Sequence, residues 1–195
     1  MPNHINSQVQ ITGAKTKIKK LIKDLGIVLD LEALENKFDF NAIVKMPEEL
    51  LETVSPTKVF ETQEEVNTEN ERRQGVWKNK QTAAILKSEA DRRMKEYGAL
   101  NWYDWAYANW GTKWNAYEVK LIDWSDTKLV VDIQTAWDTP HEIWRKLEED
   151  GFGVVGIYYG EMDGYGTIGK DAEDAFSVYT SVEVEYNKLE QGIEK

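Results

Sequence analysis

Residues 101–114 read Asn-Trp-Tyr-Asp-Trp-Ala-Tyr-Ala-Asn-Trp-Gly-Thr-Lys-Trp and hold four of the chain's eight tryptophans. Trp102, Trp105 and Asn109 recur at helical spacing, with Tyr103 and Tyr107 a turn apart on a neighbouring face. The spacing therefore predicts a short helix over 101–109 with rings on more than one side. Gly111 supplies a left-handed stop, and Lys113 lies close enough to complement the carbonyls left open there. From Trp114 to Ile122, Tyr117, Val119 and Leu121 alternate with Glu118 and Lys120, which predicts a strand. Rings packed this densely need cover on more than one side, so the helix reads as a hinge between two layers. Indole carries a large apolar area and one donor, which favours a core plug over a stacking platform for a ligand.

The rest of the chain narrows the class. It has 195 residues, enough for one domain with an insertion or for two small ones. With no cysteine, disulfides, thiolate catalysis and iron–sulfur chemistry are excluded. No apolar run approaches the twenty or so residues a bilayer requires, and the opening Met-Pro-Asn-His-Ile-Asn lacks the pattern of a secretion signal. A soluble cytoplasmic protein is the expectation. The net charge of −11 is uneven: residues 1–60 and 61–100 are each balanced, whereas 101–150 carry ten acidic against five basic side chains and 151–195 nine against three. An acidic second half repels phosphate backbones and suits a basic partner surface, although plain solubility also accounts for it.

In chain order, residues 8–12 alternate as a strand, and Ile18, Leu21, Ile22 and Leu25 mark an amphipathic helix over 14–25 that Gly26 ends. Residues 27–37 connect to Phe38, Phe40, Ala42 and Val44, whose alternation predicts a second strand up to Pro47. Residues 48–80 are charged and poor in aliphatics, the composition of an exposed, partly mobile insertion. A helix over 81–97 follows, with Ala83, Leu86, Ala90, Met94 and Tyr97 on one face and Gly98 as its stop. Within it Arg92 and Arg93 stand among Glu89, Asp91 and Glu96, an arrangement for intrahelical ion pairs. A turn at 123–127 leads to Leu129, Val131, Ile133, Thr135 and Trp137, the second arm of a hairpin. Thr139-Pro140-His141-Glu142 has the form of a helix start, with a Thr cap. Ile143, Trp144 and Leu147 face the sheet, and Val155, Ile157 and Tyr159 make the next strand. Asp163-Gly164 turns into a last strand over 165–168. Residues 171–195 fit a helix, through Ala175, Tyr179, Val182, Tyr186, Leu189 and Ile193, or a strand.

Catalytic chemistry has little footing. His4 and His141, the only histidines, are far apart in the chain, the carboxylates lack calcium-loop spacing, and the glycines at 151–169 lead out of a helix into a strand, the reverse of a dinucleotide loop. No phosphate loop and no nucleophile elbow occurs. An enzyme is the weakest class, and neither a metal nor a cofactor is expected.

Tyr97-Gly98-Ala99, the tryptophan motif at 101–114, Thr135-Ala136-Trp137, Pro140, the strand from Val154 into Tyr159 and the turn from Glu161 to Gly166 together resemble the YubB-like, or Api-type, proteins of phages and plasmids. The opening Met1-Pro2-Asn3 and Thr12-Gly13 are similar too, but His4 stands where the family has an aromatic residue. The resemblance implies a ferredoxin-like two-layer α/β sandwich, an origin in a mobile element and residence in a bacterial cytoplasm. It implies no catalytic residue.

The composite expectation is an α+β fold. Residues 1–47 give a first βαβ part, 48–100 a charged helical insertion, 101–170 the Trp-rich helix with ββαββ, and 171–195 a terminal helix or strand. The leading function is a non-enzymatic binding protein that opposes a bacterial defence system through its acidic half, with a basic host protein as partner. A second is a sequestering pocket for a small signalling nucleotide, lined by Trp102, Trp105, Trp110 or Tyr158 with Lys113 as counter-charge. A third is a ferredoxin-like sheet for single-stranded RNA or DNA, for which a basic rim is missing. The candidate binding residues are Trp102, Tyr103, Trp105, Trp110, Lys113, Trp114, Tyr158 and Tyr165.

Overall fold

The computed structural model describes residues 3–33, 35–76, 84–160 and 164–169, of which residues 73–76 and 165 are described by their backbone. Its elements in chain order are β1 (His4–Thr12), α1 (Lys15–Leu25), α2 (Glu48–Leu51), β2 (Lys58–Phe60), α3 (Gln63–Val76), β3 (Ala84–Leu86), α4 (Lys87–Tyr97), α5 (Trp102–Trp110), β4 (Tyr117–Ser125), β5 (Lys128–Ala136), α6 (His141–Glu149), β6 (Gly153–Gly160) and β7 (Gly164–Ile168). They divide into two units, one of residues 1–43 with 111–195 and one of residues 44–110.

The first unit is a mixed α+β structure around a five-stranded sheet of order β4-β5-β1-β6-β7, antiparallel throughout. β1 is its middle strand and buries Ile5, Ser7, Val9 and Ile11 on one face. In register with them, β5 buries Leu129, Val131, Ile133 and Thr135. Against this face α1 buries Ile18, Leu21, Ile22 and Leu25, and α6 buries Ile143, Trp144 and Leu147. Each helix needs one apolar stripe, because its other face meets water. Gly26 ends α1 in the left-handed conformation, as its place after Leu25 predicts.

Two local expectations are corrected. Residues 38–44 form no strand; Phe40–Ala42 is a single 3-10 turn. The backbone donors that a ladder would use go to side chains instead. Asn41 N bonds Asp39 Oδ1 at 3.0 Å, and Phe40 N bonds Asn115 Oδ1 at 2.9 Å. Phe38 and Phe40 are still buried, with the Phe38 ring edge-on to Trp144 at 5.7 Å. Burial disfavours the Asp39 carboxylate, but the Asn115 and Asn41 amides outweigh it and hold its pKa below the ordinary value.

The second correction concerns Thr139, which does not cap α6; Pro140 occupies the cap position, with no side-chain bond. The Thr139 hydroxyl is buried, 3.1 Å from Ser7 Oγ, and accepts from Trp144 Nε1 at 3.1 Å. A buried hydroxyl goes where unsatisfied polar groups are, and here β1 and α6 both bring one.

The second unit holds a strand pair as well as the helices expected of this stretch. β2 and β3 pair in parallel, with α3 as the crossover. Its buried apolar side chains include Met46, Leu50, Val66, Ile85, Trp105 and Trp110, so aromatic rings make up for the missing aliphatics. Glu69, also buried, reaches Lys58 of β2 at 2.9 Å and Arg72 at 2.8 Å. The helix foreseen over 81–97 begins only at Lys87, because Ala84–Leu86 pair as a strand. Met94, foreseen on its packed face, is 51% exposed. Ala83 and residues 171–195 lie outside the described residues.

Candidate functional site

The tryptophan motif forms its helix, α5, shifted one residue towards the C-terminus from the span its spacing predicts, and Gly111 follows at φ +81°. Within α5 the rings have different fates. Trp105 and Trp110 are buried and meet edge to face at 5.6 Å, and the Trp110 indole N–H donates to Val44 O at 2.9 Å. Trp102 and Tyr103 are half-buried, with Tyr103 in ring contact with both Trp102 and Tyr107. The rings on this helix therefore hold the second unit together. A base could not stack on Trp105 or Trp110 without unpacking them.

The other candidates belong to the first unit. Gly111 passes so close to the start of α6 that a Cβ would stand 3.1 Å from His141 N. Thr112, fully buried, then donates to Ala136 O at 2.6 Å and fastens the chain to the end of β5. The Lys113 ammonium lies 4.4 Å from the centre of the Trp114 ring, which remains 40% exposed. Tyr158, half-buried on β6, meets His141 edge to face at 5.7 Å and covers Gly166, where a Cβ would collide with its ring at 2.5 Å. Tyr165 is paired with Tyr159 in β7. The candidates are thus not one site: Trp102, Tyr103, Trp105 and Trp110 fall in one unit, and Lys113, Trp114, Tyr158 and Tyr165 in the other.

Three side chains outside that set complete the end of the sheet next to Thr112. His4 pairs with Ala136 across β1 and β5. Its Nδ1 lies 2.7 Å from the Tyr117 hydroxyl, which donates to Thr135 O at 3.0 Å. Burial pushes the Tyr117 phenol above its ordinary pKa. Trp137 follows directly, at φ +78°, with its N–H on Asn3 O at 3.0 Å and its side chain 42% exposed. Glu118, the next residue after Tyr117, also has a positive φ, 48°. Left-handed backbone costs a residue with a side chain about 1–2 kcal/mol, and at Trp137 it turns the ring away from the face that Thr135 occupies.

No family model, no curated protein and no solved structure matches the chain.

The charges of this unit are largely satisfied internally. Lys15 and Lys19 of α1 reach Asp126 in the β4–β5 turn, Lys128 pairs with Asp123, Arg145 with Glu142 and Glu149, and Lys146 with Asp150. The acidic second half is therefore partly neutralised by the first. Asp138 differs: one oxygen accepts from Thr139 N at 2.7 Å with His141 Nε2 at 3.7 Å, and its side chain is 51% exposed. A cleft of about 340 Å³ beside the β6 start is lined by Gln10, Thr12, Glu148 and Phe152, with a single ionisable group among its walls. Among the described residues no three His, Asp or Glu stand together to hold a metal ion. Among them, too, no helix is long and apolar enough to cross a membrane.

Sequence reasoning passed over Trp137 as a site residue because the alternation of β5 assigns it to the packed face. The observed strand ends one residue earlier, at Ala136, and Trp137 takes a left-handed backbone instead; the only hint in the sequence is Asp138-Thr139-Pro140, which can hold no further strand.

Proposed function

We propose that this is a non-enzymatic binding protein of a phage or other mobile element, acting in a bacterial cytoplasm against a host defence system by docking on a basic partner. One observation carries the binding reading. Trp114, Trp124 and Trp137 are 40%, 36% and 42% exposed on a single sheet unit. Scattered exposed leucines are ordinary on any surface. Three half-open indoles on one unit are costly to leave in water, and tryptophan is among the side chains enriched where a few residues dominate a protein interface. The residues shared with the phage and plasmid family support the mobile-element origin. The strand order β4-β5-β1-β6, with α1 and α6 as crossovers, supports a ferredoxin-like fold to which β7 adds an edge.

Affinity capture from bacteria expressing the tagged protein tests this reading, with the double variant Trp114→Ala, Trp137→Ala in parallel. A partner held by the natural chain and lost with the variant is the expected result, together with relief of a phage-defence phenotype. Capture of nothing, with no effect on any defence system, contradicts it. A thermal shift with a nucleotide, or salt-sensitive retention of single-stranded RNA, would redirect the reading to those ligands.

A further inference from the structure

Resting on that binding reading, we infer that the end of the sheet around Trp137 recognises an arginine-bearing segment of a protein partner. The place is defined by backbone contacts. Trp137 N is tied to Asn3 O, Ala136 O accepts from Thr112, and His4 pairs with Ala136, so the chain at 112–114, the start of β1 and the end of β5 converge there. Two residues with side chains, Glu118 and Trp137, are held in the left-handed region at this same end. Strain of that kind persists where surrounding structure over-determines it, and its consequence here is an indole turned towards water.

The chemistry at this end selects a cation, and among cations a guanidinium. Lys113 already lies on the Trp114 ring, so an indole here accepts a positive charge on its face. Trp137 is flanked by Asp138, whose second oxygen, Oδ2, has no hydrogen bond among the described residues, and Glu118 has no ion pair among them. Asp123, Asp126, Glu142 and Asp150, elsewhere in the unit, each hold a Lys or Arg of the chain itself. Asp138, next to Trp137 in the chain, thus keeps one carboxylate oxygen open to a partner, with His141 Nε2 3.7 Å from the other. An ammonium can sit on a ring and turn an N–H to a carboxylate, but it is a compact, strongly hydrated point charge with no plane to stack. A planar guanidinium stacks on an indole face while its N–H fork addresses a carboxylate at the edge, and it is more weakly hydrated than ammonium.

Fluorescence polarisation with three labelled peptides tests the inference: one with two arginines in a glycine–serine background, the same peptide with lysines, and the same with citrullines, which keep the shape and lose the charge. The arginine peptide is expected to bind, the lysine peptide at least about fivefold more weakly and the citrulline peptide not at all. Trp137→Ala and Asp138→Asn should each weaken binding by about tenfold or more, with Trp124→Ala, at the far end of β4, within about twofold of the natural chain. Asp138→Asn keeps the size of the side chain and an oxygen for Thr139 N, so it remains informative if Trp137→Ala does not fold. Equal binding of arginine and lysine peptides, indifference to both variants, or no binding at all would overturn the inference. A cellular partner that depends on Trp137 yet ignores competing arginine peptide would overturn it too, while leaving the binding reading intact.

Discussion

His4 Nδ1 lies 2.7 Å from the hydroxyl of Tyr117, and that hydroxyl donates its single hydrogen to Thr135 O. The phenol can then only accept from His4, so neutral His4 carries its proton on Nδ1 and turns the lone pair of Nε2 outward. One side chain thereby joins the start of β1, the start of β4 and the end of β5. Tyr117→Phe removes the bond to Thr135 O and the acceptor for His4, and should cost about 1–2 kcal/mol in denaturant unfolding. The phenol itself gives a pH signature. Its folded pKa lies above the ordinary phenol value of 10.0, so its contribution is present below that value and is lost as pH rises past the folded pKa. A tyrosine ultraviolet titration should lose one late-ionising phenol in the variant.

Thr139 is the buried polar junction of the first unit. With Thr139→Val the Trp144 indole N–H and the Ser7 hydroxyl both lose a partner out of reach of water, which should destabilise by about 2–4 kcal/mol. Thr139→Ser keeps the hydroxyl and should stay within about 1 kcal/mol. Thermal melts of the two variants separate this role from helix capping, where Val and Ser would differ by only about 1 kcal/mol.

Thr139 also marks how far the sequence could be read. Its threonine, the proline after it and Glu142 match a capping pattern, and the helix is indeed there, but the hydroxyl is drawn away by Ser7 and Trp144, which no local pattern reveals. The same holds at Asp39 and Asn115, 76 residues apart, whose side chains take the backbone donors of a segment that alternates like a strand. Where one apolar stripe and one glycine decide the outcome, as in α1 with Gly26, the reading was direct. The tryptophans follow no such stripe. Trp105 and Trp110 are buried although they lie five residues apart on α5, off any single helical stripe, whereas Trp137 is displayed just past the end of β5, where its left-handed backbone interrupts the strand period.

Gly111 is required twice over, by its φ of +81° and by the 3.1 Å that a Cβ would leave to His141 N. Relieving that contact means moving the backbone at the start of α6. Gly111→Ala should therefore lower stability by at least about 1–2 kcal/mol, whereas Gly98→Ala, with the same sign of φ and open space, should lose only the conformational part. The difference between the two melting temperatures measures the close approach alone.

In the second unit, Glu89 accepts from Arg92 at 2.8 Å and from Arg93 at 2.8 Å, and these partners hold its pKa at about 2, against an ordinary value of 4.5. Because the folded value is depressed, the stabilisation is present above pH 4.5 and is lost as pH falls from there towards about 2. Protection of the α4 amides from hydrogen exchange, taken relative to the intrinsic rate at each pH, should fall across that window. Glu89→Gln should flatten the acid dependence, and its exchange should already be faster at neutral pH.

The central claim is that the indoles are split between plug and display, with Trp137 on display. Hydroxyl-radical footprinting read by mass spectrometry measures this residue by residue in the natural chain. Trp114, Trp124 and Trp137 should oxidise several-fold faster than Trp105, Trp110 and Trp144, and their rates should fall when the arginine peptide is added, most of all at Trp137. A Trp137 as protected as Trp144 in the free protein would contradict the account.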